Sequence, residues 1–422
     1  MTTERNTSDG NGVVSPEGSA VDTRFMVMLS AGVVLLTACS GGDGEAGPAS
    51  GVEPTSTFVA GADQPAVGAF PSGPSALEDM FAEEFPDPLI DPGEVISGGP
   101  RPGGIAAIDN PEFLDVVDNL DLLPDHEPVV ALEINGDARA YPVRAMVWHE
   151  IVNDTVGGIP VAVTYCPLCN SAAVYERRIN GAETTFGTSG RLFASALVMY
   201  DRATESLWTH YNGLSVIGVL TGTELTEYPS PLLAWSDFRE AYPTGKVLDW
   251  TRTGFKRDYG RNPYTGYDDP DGTPFLFRGS LDDRATAMQR VVGVTVEEDS
   301  AAYALEAISG GTGKATNVEL GGSDLVIFWK AGQSSALDGS QVASGRDVGS
   351  VGVFLAEADG QVLTFEHNGE TFVDSLTGSE WSITGEALSG ALRGAQLMRV
   401  PQFDTFWFAW STYQPDTVLI TE

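Results

Sequence analysis

The sequence predicts a mainly β fold, a β-rich α+β protein with few short helices, built as two homologous β lobes from an internal duplication. Three observations support this prediction. Glycine (49 residues) and proline (25 residues) are frequent enough to divide the 422-residue chain into many turns and short strands. Apolar runs rich in β-branched and aromatic residues, such as 161–165 and 325–329, are typical of buried strands. The third observation is a series of motifs that occurs twice.

The repeated motifs follow the same order in both halves of the chain. Each half has a tight-hairpin signal, Asn180-Gly181 in the first and Asp359-Gly360 in the second. Each then has an Asp-x-x-Thr-x-Ser-x-Trp motif with identical internal spacing, at 201–208 and 374–381. Because chance rarely gives several matches in one order, these pairs indicate a duplication.

The composition and the repeat together divide the chain into six segments. They are a lipoprotein signal segment (1–39), a disordered tether (40–75), an N-terminal extension (76–124), a first β lobe with the candidate site (125–240), an inter-lobe segment (241–287) and a second β lobe without it (288–415). The tether is predicted from its glycine, alanine, proline, serine and acidic residues.

The N-terminal segment has the features of an exported lipoprotein. The apolar run 25–36 follows Arg24 and has the length of a signal-peptide core, which is too short to span a bilayer. It leads into Leu36-Thr37-Ala38-Cys39, the pattern of a bacterial lipobox, in which the cysteine is lipidated. We therefore expect a lipid anchor on Cys39 and a location on the extracytoplasmic face of the cell membrane.

The charge of the chain argues against one class of partner. Its 23 Lys and Arg and 59 Asp and Glu residues give a net charge of −36, which repels the phosphates of nucleic acids. We expect the membrane as a partner through the lipid anchor and no nucleic acid. The sequence leaves any small-molecule or protein partner unknown.

Reactive residue types are concentrated in the first half of the chain. Cys166-Pro167-Leu168-Cys169 directly follows the strand-like run 161–165, and His149-Glu150 precedes it. His210 comes two residues after the tryptophan of the repeated motif, whereas the second half has Ile383 at that position. We therefore expect the chemistry to be in the first lobe and the second lobe to be structural.

The first interpretation of this constellation is a metal site. Two thiolates separated by two residues can chelate one ion, and an imidazole can complete the set. His149 is the first candidate for the imidazole and His210 the second, and the donor set suits copper or zinc. Glu150 could orient His149 or act as a base.

Two alternatives remain open from the residues alone. A CxxC motif that follows a strand also occurs in thiol–disulfide redox proteins, although residues 170–175 are predicted to be a strand and not the helix that those proteins have. The two cysteines could also form a structural disulfide in an exported protein. Whether the site is catalytic stays open.

If the site is catalytic, Asp201, Arg202 and the glycine-rich loop 187–191 are the residues that we expect to face a substrate. Asp374 occupies the repeat position of Asp201, a match that also fits a structural turn.

Four motifs resemble a family of bacterial and archaeal extracytoplasmic proteins that is known only as a domain of unknown function. They are Trp148–Asp154 (WHEIVND), Thr164–Ser171 (TYCPLCNS), Phe186–Gly190 (FGTSG) and Met199–Trp208 (MYDRxTxSxW). The resemblance covers about residues 95–415. It implies that the positions of His149, Cys166 and Cys169 belong to the family signature and that the position of His210 is often glutamine. It implies no activity.

Overall fold

The structure is a computed structural model, and it describes residues 70–422. The predicted signal segment, the predicted lipidation site Cys39 and most of the predicted tether lie outside the described residues. Within residues 70–422, no helix has both the length and the apolar character needed to cross a membrane.

The described chain consists mainly of short strands, which confirms the predicted fold class. The N-terminal part contains β1 (Ile96–Ser97), β2 (Phe113–Asp115), β3 (Pro128–Ile134), β4 (Asp137–Pro142), β5 (Ile151–Val156), β6 (Ile159–Cys166), β7 (Ser171–Glu176), β8 (Arg178–Ile179), β9 (Ala182–Glu183), β10 (Phe186–Phe193), β11 (Ala196–Asp201), β12 (Leu207–Thr209), β13 (Ser215–Ile217), β14 (Glu227–Tyr228), β15 (Leu232–Ala234) and β16 (Lys246–Leu248). The C-terminal part contains β17 (Arg290–Val296), β18 (Asp299–Ala304), β19 (Gly313–Leu320), β20 (Ser323–Lys330), β21 (Ser350–Leu355), β22 (Glu357–Ala358), β23 (Gln361–Val362), β24 (Phe365–His367), β25 (Phe372–Asp374), β26 (Glu380–Trp381), β27 (Gln402–Phe406) and β28 (Val418–Ile420).

The helices of residues 70–422 are few and short, as predicted. They are α1 (Val143–His149), α2 (Trp235–Ala241), α3 (Leu305–Ile308) and α4 (Trp407–Tyr413).

The two halves share a central part of their sheet topology, and the first half has additional strands. The order β15-β3-β4-β16 in the first half corresponds to β27-β17-β18-β28 in the second, with two antiparallel pairs followed by one parallel pair in each. The antiparallel meander β5-β6-β7 corresponds to β19-β20-β21. An internal duplication remains our interpretation of this correspondence.

Both predicted hairpins are present. Asn180 and Gly181 have φ angles of 50° and 81° and join β8 to β9, and Asp359 and Gly360, with φ angles of 50° and 72°, join β22 to β23. Two consecutive positive φ angles are the requirement of the tight turn that these dipeptides favour, so the local sequence alone determines these turns.

The repeated Asp-x-x-Thr-x-Ser-x-Trp motif forms the same buried turn in each half. The Asp201 carboxylate accepts hydrogen bonds from the backbone N and the hydroxyl of Thr204, at 2.7 and 2.8 Å, and from the indole N of Trp208 at 3.0 Å. The equivalent three bonds to Asp374 are 2.6, 2.8 and 3.0 Å long. These bonds give both aspartates a role in folding.

The two halves share one hydrophobic core. Its largest cluster includes Trp208 and Trp235 from the first half and Trp381 and Trp407 from the second, each completely buried. At the junction, β27 packs against β7, and its counterpart β15 packs against β21. The β6–β7 turn, which carries the CxxC motif, therefore lies where a strand of the second half reaches the first.

Replacement of Asp201 or Asp374 by alanine should lower the free energy of unfolding by a similar amount, about 2–4 kcal/mol each. Each substitution removes the acceptor of four hydrogen bonds, the three described above and one more from a backbone N, and leaves a buried indole N–H without a partner. Urea unfolding followed by tryptophan fluorescence measures the loss. Glu366→Ala, at an exposed position of β24, is the control and should change stability by less than ~0.5 kcal/mol. A large loss at only one of the two aspartates would contradict their equivalence.

Candidate functional site

The CxxC motif forms the turn between two antiparallel strands. Strand β6 ends at Cys166, which pairs with Ser171 at the start of β7. Within the turn, Asn170 has a φ of 50° and its backbone N donates to the carbonyl of Pro167 at 3.3 Å. Both cysteines are free thiols and are buried, with 2% of Cys166 and none of Cys169 exposed. The segment after the motif is the predicted strand, whereas a thioredoxin-like CxxC motif begins a helix.

The Cys169 thiol is connected to His210 through a serine. The Thr164 hydroxyl donates to the Ala173 carbonyl at 2.8 Å, so it can only accept from Nδ1 of His210, 3.0 Å away. Nε2 of His210 is then unprotonated and accepts from the Ser171 hydroxyl at 2.8 Å. The Ser171 oxygen accepts in turn from the Cys169 thiol at 3.1 Å. Every donor and acceptor in this series of hydrogen bonds, from the Cys169 thiol through Ser171 to the His210 imidazole, is therefore assigned.

Burial keeps both the Cys169 thiol and the His210 imidazole neutral. Burial raises the pKa of the Cys169 thiol well above its ordinary value, and the neighbouring Cys166 raises it further. Burial also lowers the pKa of His210 to about 3. The structure thus brings His210 to the thiol only by way of Ser171. A proton can leave Cys169 along this path only if another positive charge stabilises the thiolate.

His149, at the end of α1, is held in a single tautomer. Its Nδ1 lies 2.6 Å from the carbonyl of Ala106, which can only accept, so Nδ1 carries the proton. Nε2 therefore presents a lone pair, which accepts the hydroxyl of Tyr259 at 2.7 Å. An Nδ1–H bonded to a backbone carbonyl is the usual arrangement behind a metal-binding histidine. Ala106, and not Glu150, orients the ring.

His149 and the cysteines lie at the same end of one sheet. Ile151 pairs with Thr164 at the start of β5, and the backbone N of Tyr165 donates to the carbonyl of Glu150 at 2.8 Å. His149 directly precedes Glu150, and Cys166 directly follows Tyr165, so the two residues are neighbours of this bonded pair. In residues 70–422, however, no three His, Cys, Asp or Glu side chains form a group arranged to hold a metal ion.

Glu150 is a buried carboxyl group in an unusual backbone conformation. It ends α1, where its backbone N donates to the Met146 carbonyl at 2.8 Å, and it has a φ of 59°. Such a φ is costly for a residue with a side chain. Only 8% of Glu150 is exposed, and its carboxyl group has no hydrogen-bond partner among residues 70–422. Burial raises its pKa to about 8, so it is mostly protonated at neutral pH.

The other predicted substrate-facing residues have partners of their own. Asp201 belongs to the buried turn described above, and Arg202 forms an ion pair with Asp109 at 2.6 Å. The segment 187–191, predicted as a glycine-rich loop, is part of strand β10 and contains a bulge after Thr188. The structure shows no hydrogen bond between these residues and the cysteines or His149.

Residues from outside the first half hold the CxxC turn, and sequence reasoning missed them. The Thr405 hydroxyl and the Phe406 backbone N donate to the carbonyl of Cys169, at 2.7 and 3.3 Å. The Tyr267 hydroxyl donates to the carbonyl of Leu168 at 3.0 Å. No reactive motif marks these positions. The one indication in the sequence is that Thr405 is polar where the first half has Leu233.

Most of the described fold, including the CxxC turn, falls within a known protein family. One family model, described as a protein of unknown function (DUF3179), matches residues 102–417, well over half of the chain. The chain belongs to the DUF3179 family. This confirms the resemblance seen in the motifs, and DUF3179 membership supplies no activity. No curated protein and no solved structure matches the chain.

Glu150→Gln should remove a pH-dependent loss of stability from the metal-free, reduced protein. Because folding raises the pKa of Glu150 from 4.5 to about 8, its contribution to stability is complete below pH 4.5 and is lost as the pH rises through about 8. At about 1.4 kcal/mol per pKa unit, the wild type should lose on the order of 3 kcal/mol more than the variant between pH 5 and 8. Urea unfolding with a chelator present measures this difference. Glu366→Gln should keep the wild-type pH dependence, and an unchanged pH dependence in Glu150→Gln would contradict the assignment.

Proposed function

We propose that this DUF3179 protein is a lipid-anchored, extracytoplasmic protein that binds one thiophilic metal ion, copper or zinc, through Cys166, Cys169 and His149. One observation carries the proposal. His149 has its proton fixed on Nδ1 and presents its Nε2 lone pair, which accepts from Tyr259 in the metal-free protein, at the sheet end that also carries two reduced, buried thiols. The membrane anchor rests on the lipobox at Cys39.

The surroundings of the thiols favour metal binding over thiol exchange. A cysteine that exchanges disulfides is partly exposed and has a lowered pKa. Here both thiols are buried, and the pKa of Cys169 is raised. A CxxC turn between two antiparallel strands is instead typical of zinc knuckles. A bound copper or zinc ion would supply the positive charge that two buried thiolates require.

The neighbouring residues then have definite roles. Ser171 bonds to both the Cys169 thiol and Nε2 of His210, so His210 acts on Cys169 through Ser171, as a hydrogen-bond acceptor. Tyr259 holds Nε2 of His149 in the metal-free protein and has to release it for coordination. Glu150, mostly protonated at neutral pH, adds little negative charge beside two thiolates.

A thiol–disulfide redox function is the second candidate. In that function an external disulfide would take two electrons and two protons from Cys166 and Cys169 and leave as two thiols, and the hydrogen bonds from Cys169 through Ser171 to His210 would orient the Cys169 thiol. A structural disulfide between Cys166 and Cys169 is the third possibility, and the same experiment separates all three.

The purified protein should contain about one copper or zinc ion per chain by elemental analysis, or take up one on loading under reducing conditions. Cys166→Ser and Cys169→Ser should each abolish tight binding, and His149→Ala should weaken it by about 10- to 100-fold. His367→Ala, at a histidine outside the site, is the matched control. Failure of the reduced protein to bind either metal would rule out the metal centre. A Cys166–Cys169 disulfide would then point to the redox or the structural role, according to its reduction potential.

Tyr259→Phe should increase the affinity for the metal about fivefold, because a hydrogen bond worth ~1 kcal/mol no longer competes for Nε2 of His149. Competition with a chromophoric chelator measures the affinity. Tyr228→Phe, which removes a hydroxyl bonded to Glu176 on another part of the surface, should leave it unchanged. Weaker binding in Tyr259→Phe would show that His149 is not the third ligand.

A further inference from the structure

The end of strand β27, in the second half, determines the position of the CxxC turn. The Thr405 hydroxyl and the Phe406 backbone N both donate to the carbonyl of Cys169. The side-chain N of Asn170 donates to the backbone carbonyl of Asp404 at 3.2 Å. These three bonds hold the backbone immediately after the Cys169 side chain, where Asn170 adopts a positive φ.

A chain of four charged side chains, three of them buried, fixes Asp404. Arg290, only 4% exposed, donates to both carboxylate oxygens of Asp404 at 2.7 and 2.6 Å. Arg290 also pairs with Asp268 at 3.1 Å, and Asp268 accepts from Arg346 at 2.7 Å. The four charges alternate in sign and cancel. Arg290, Asp268 and Asp404 are buried, and Arg346 lies at the surface. Burying the first three costs desolvation free energy that apolar side chains would not cost, so their presence calls for an explanation other than stability.

The repeat supplies an internal comparison. Strands β15 and β27 correspond, and each packs against a strand of the opposite half. The strand registers match the residues of the two halves in pairs. Pro128 corresponds to Arg290, Leu232 to Asp404 and Leu233 to Thr405. The polar and charged version of this strand pair thus faces the turn with the cysteines, and the apolar version faces the half without them.

We infer that Asp404 and Thr405 are positioning residues for the thiol site, so that the half without reactive residues sets the geometry of Cys169 in the other half. This inference rests on the proposed function, because it assigns these residues to the metal-binding geometry of Cys166 and Cys169. The fold itself does not require them, since the corresponding strand pair forms with a proline and two leucines.

The test compares Thr405→Val with Thr405→Ser. Valine has nearly the same shape as threonine but lacks the hydroxyl that bonds to the Cys169 carbonyl, and serine keeps that hydroxyl. Thr405→Val should weaken copper(I) or zinc affinity about tenfold, and Thr405→Ser should restore it. Asp404→Asn, which leaves Arg290 with Asp268 as its remaining charged partner, should weaken affinity at least as much.

Ser411→Ala is the matched control. Its buried hydroxyl bonds to the Trp407 carbonyl within helix α4 at 2.8 Å and does not contact the turn. It should lower stability without changing metal affinity. Equal affinity in Thr405→Val and the wild type would overturn the inference, and so would an equal loss of affinity in Ser411→Ala.

A second readout keeps the inference separate from the metal proposal. If the wild type binds neither copper(I) nor zinc, the proposed function fails. The rate at which an aromatic disulfide reagent labels Cys166 and Cys169 in the native protein then tests positioning. Thr405→Val should be labelled about tenfold faster than both the wild type and Ser411→Ala. Equal labelling rates in all three proteins would overturn the inference.

Discussion

The carbonyl oxygen of Cys169 accepts hydrogen bonds from both Thr405 and Phe406, and the candidate site depends on this contact between the two halves. The CxxC turn lies at the end of a sheet in the first half. Tyr267 and a strand of the second half donate hydrogen bonds to its backbone carbonyls. Because this strand also continues into α4 and the shared core, the position of Cys169 is coupled to the packing of the whole molecule.

The site combines several features that are unfavourable for stability alone. Two thiols are buried, Glu150 has an unusual backbone conformation and no hydrogen-bond partner in the described part of the chain, and a four-member ion chain lies behind the turn. Buried polar and charged groups in strained surroundings cluster where a protein binds or reacts. Their concentration around one turn, in one of two related halves, is what supports the proposal that this region is the functional site. The repeated turns at Asp201 and Asp374 show the opposite behaviour, since they have equal partners in both halves and serve folding in each.

The hydrogen-bond partners of His149 and His210 determine which ring nitrogen of each histidine carries the proton. The Ala106 carbonyl fixes the proton on Nδ1 of His149, and the Thr164 hydroxyl fixes it on Nδ1 of His210. Each imidazole is therefore presented through Nε2, one to Tyr259 and the other to Ser171. The same residue type thus has two different surroundings: Nε2 of His149, the proposed ligand, accepts from Tyr259, and Nε2 of His210 accepts from Ser171 beside the Cys169 thiol.

The sequence by itself determined the features that depend on neighbours along the chain. The positive φ angles at Asn180-Gly181 and Asp359-Gly360, the strand after the CxxC motif and the repeated aspartate turns all follow from residue type and spacing. The tertiary structure decided which groups meet from distant parts of the chain. Tyr259 is 110 residues from His149, and Thr405 is 236 residues from Cys169. No local pattern marks such partners, because hydrogen-bonding capacity is common along any chain and only packing selects which groups face each other. For the same reason, the cysteines and histidines of the candidate site could be found from the sequence, whereas the contacts that Thr405 and Phe406 of the second half make with Cys169 could not.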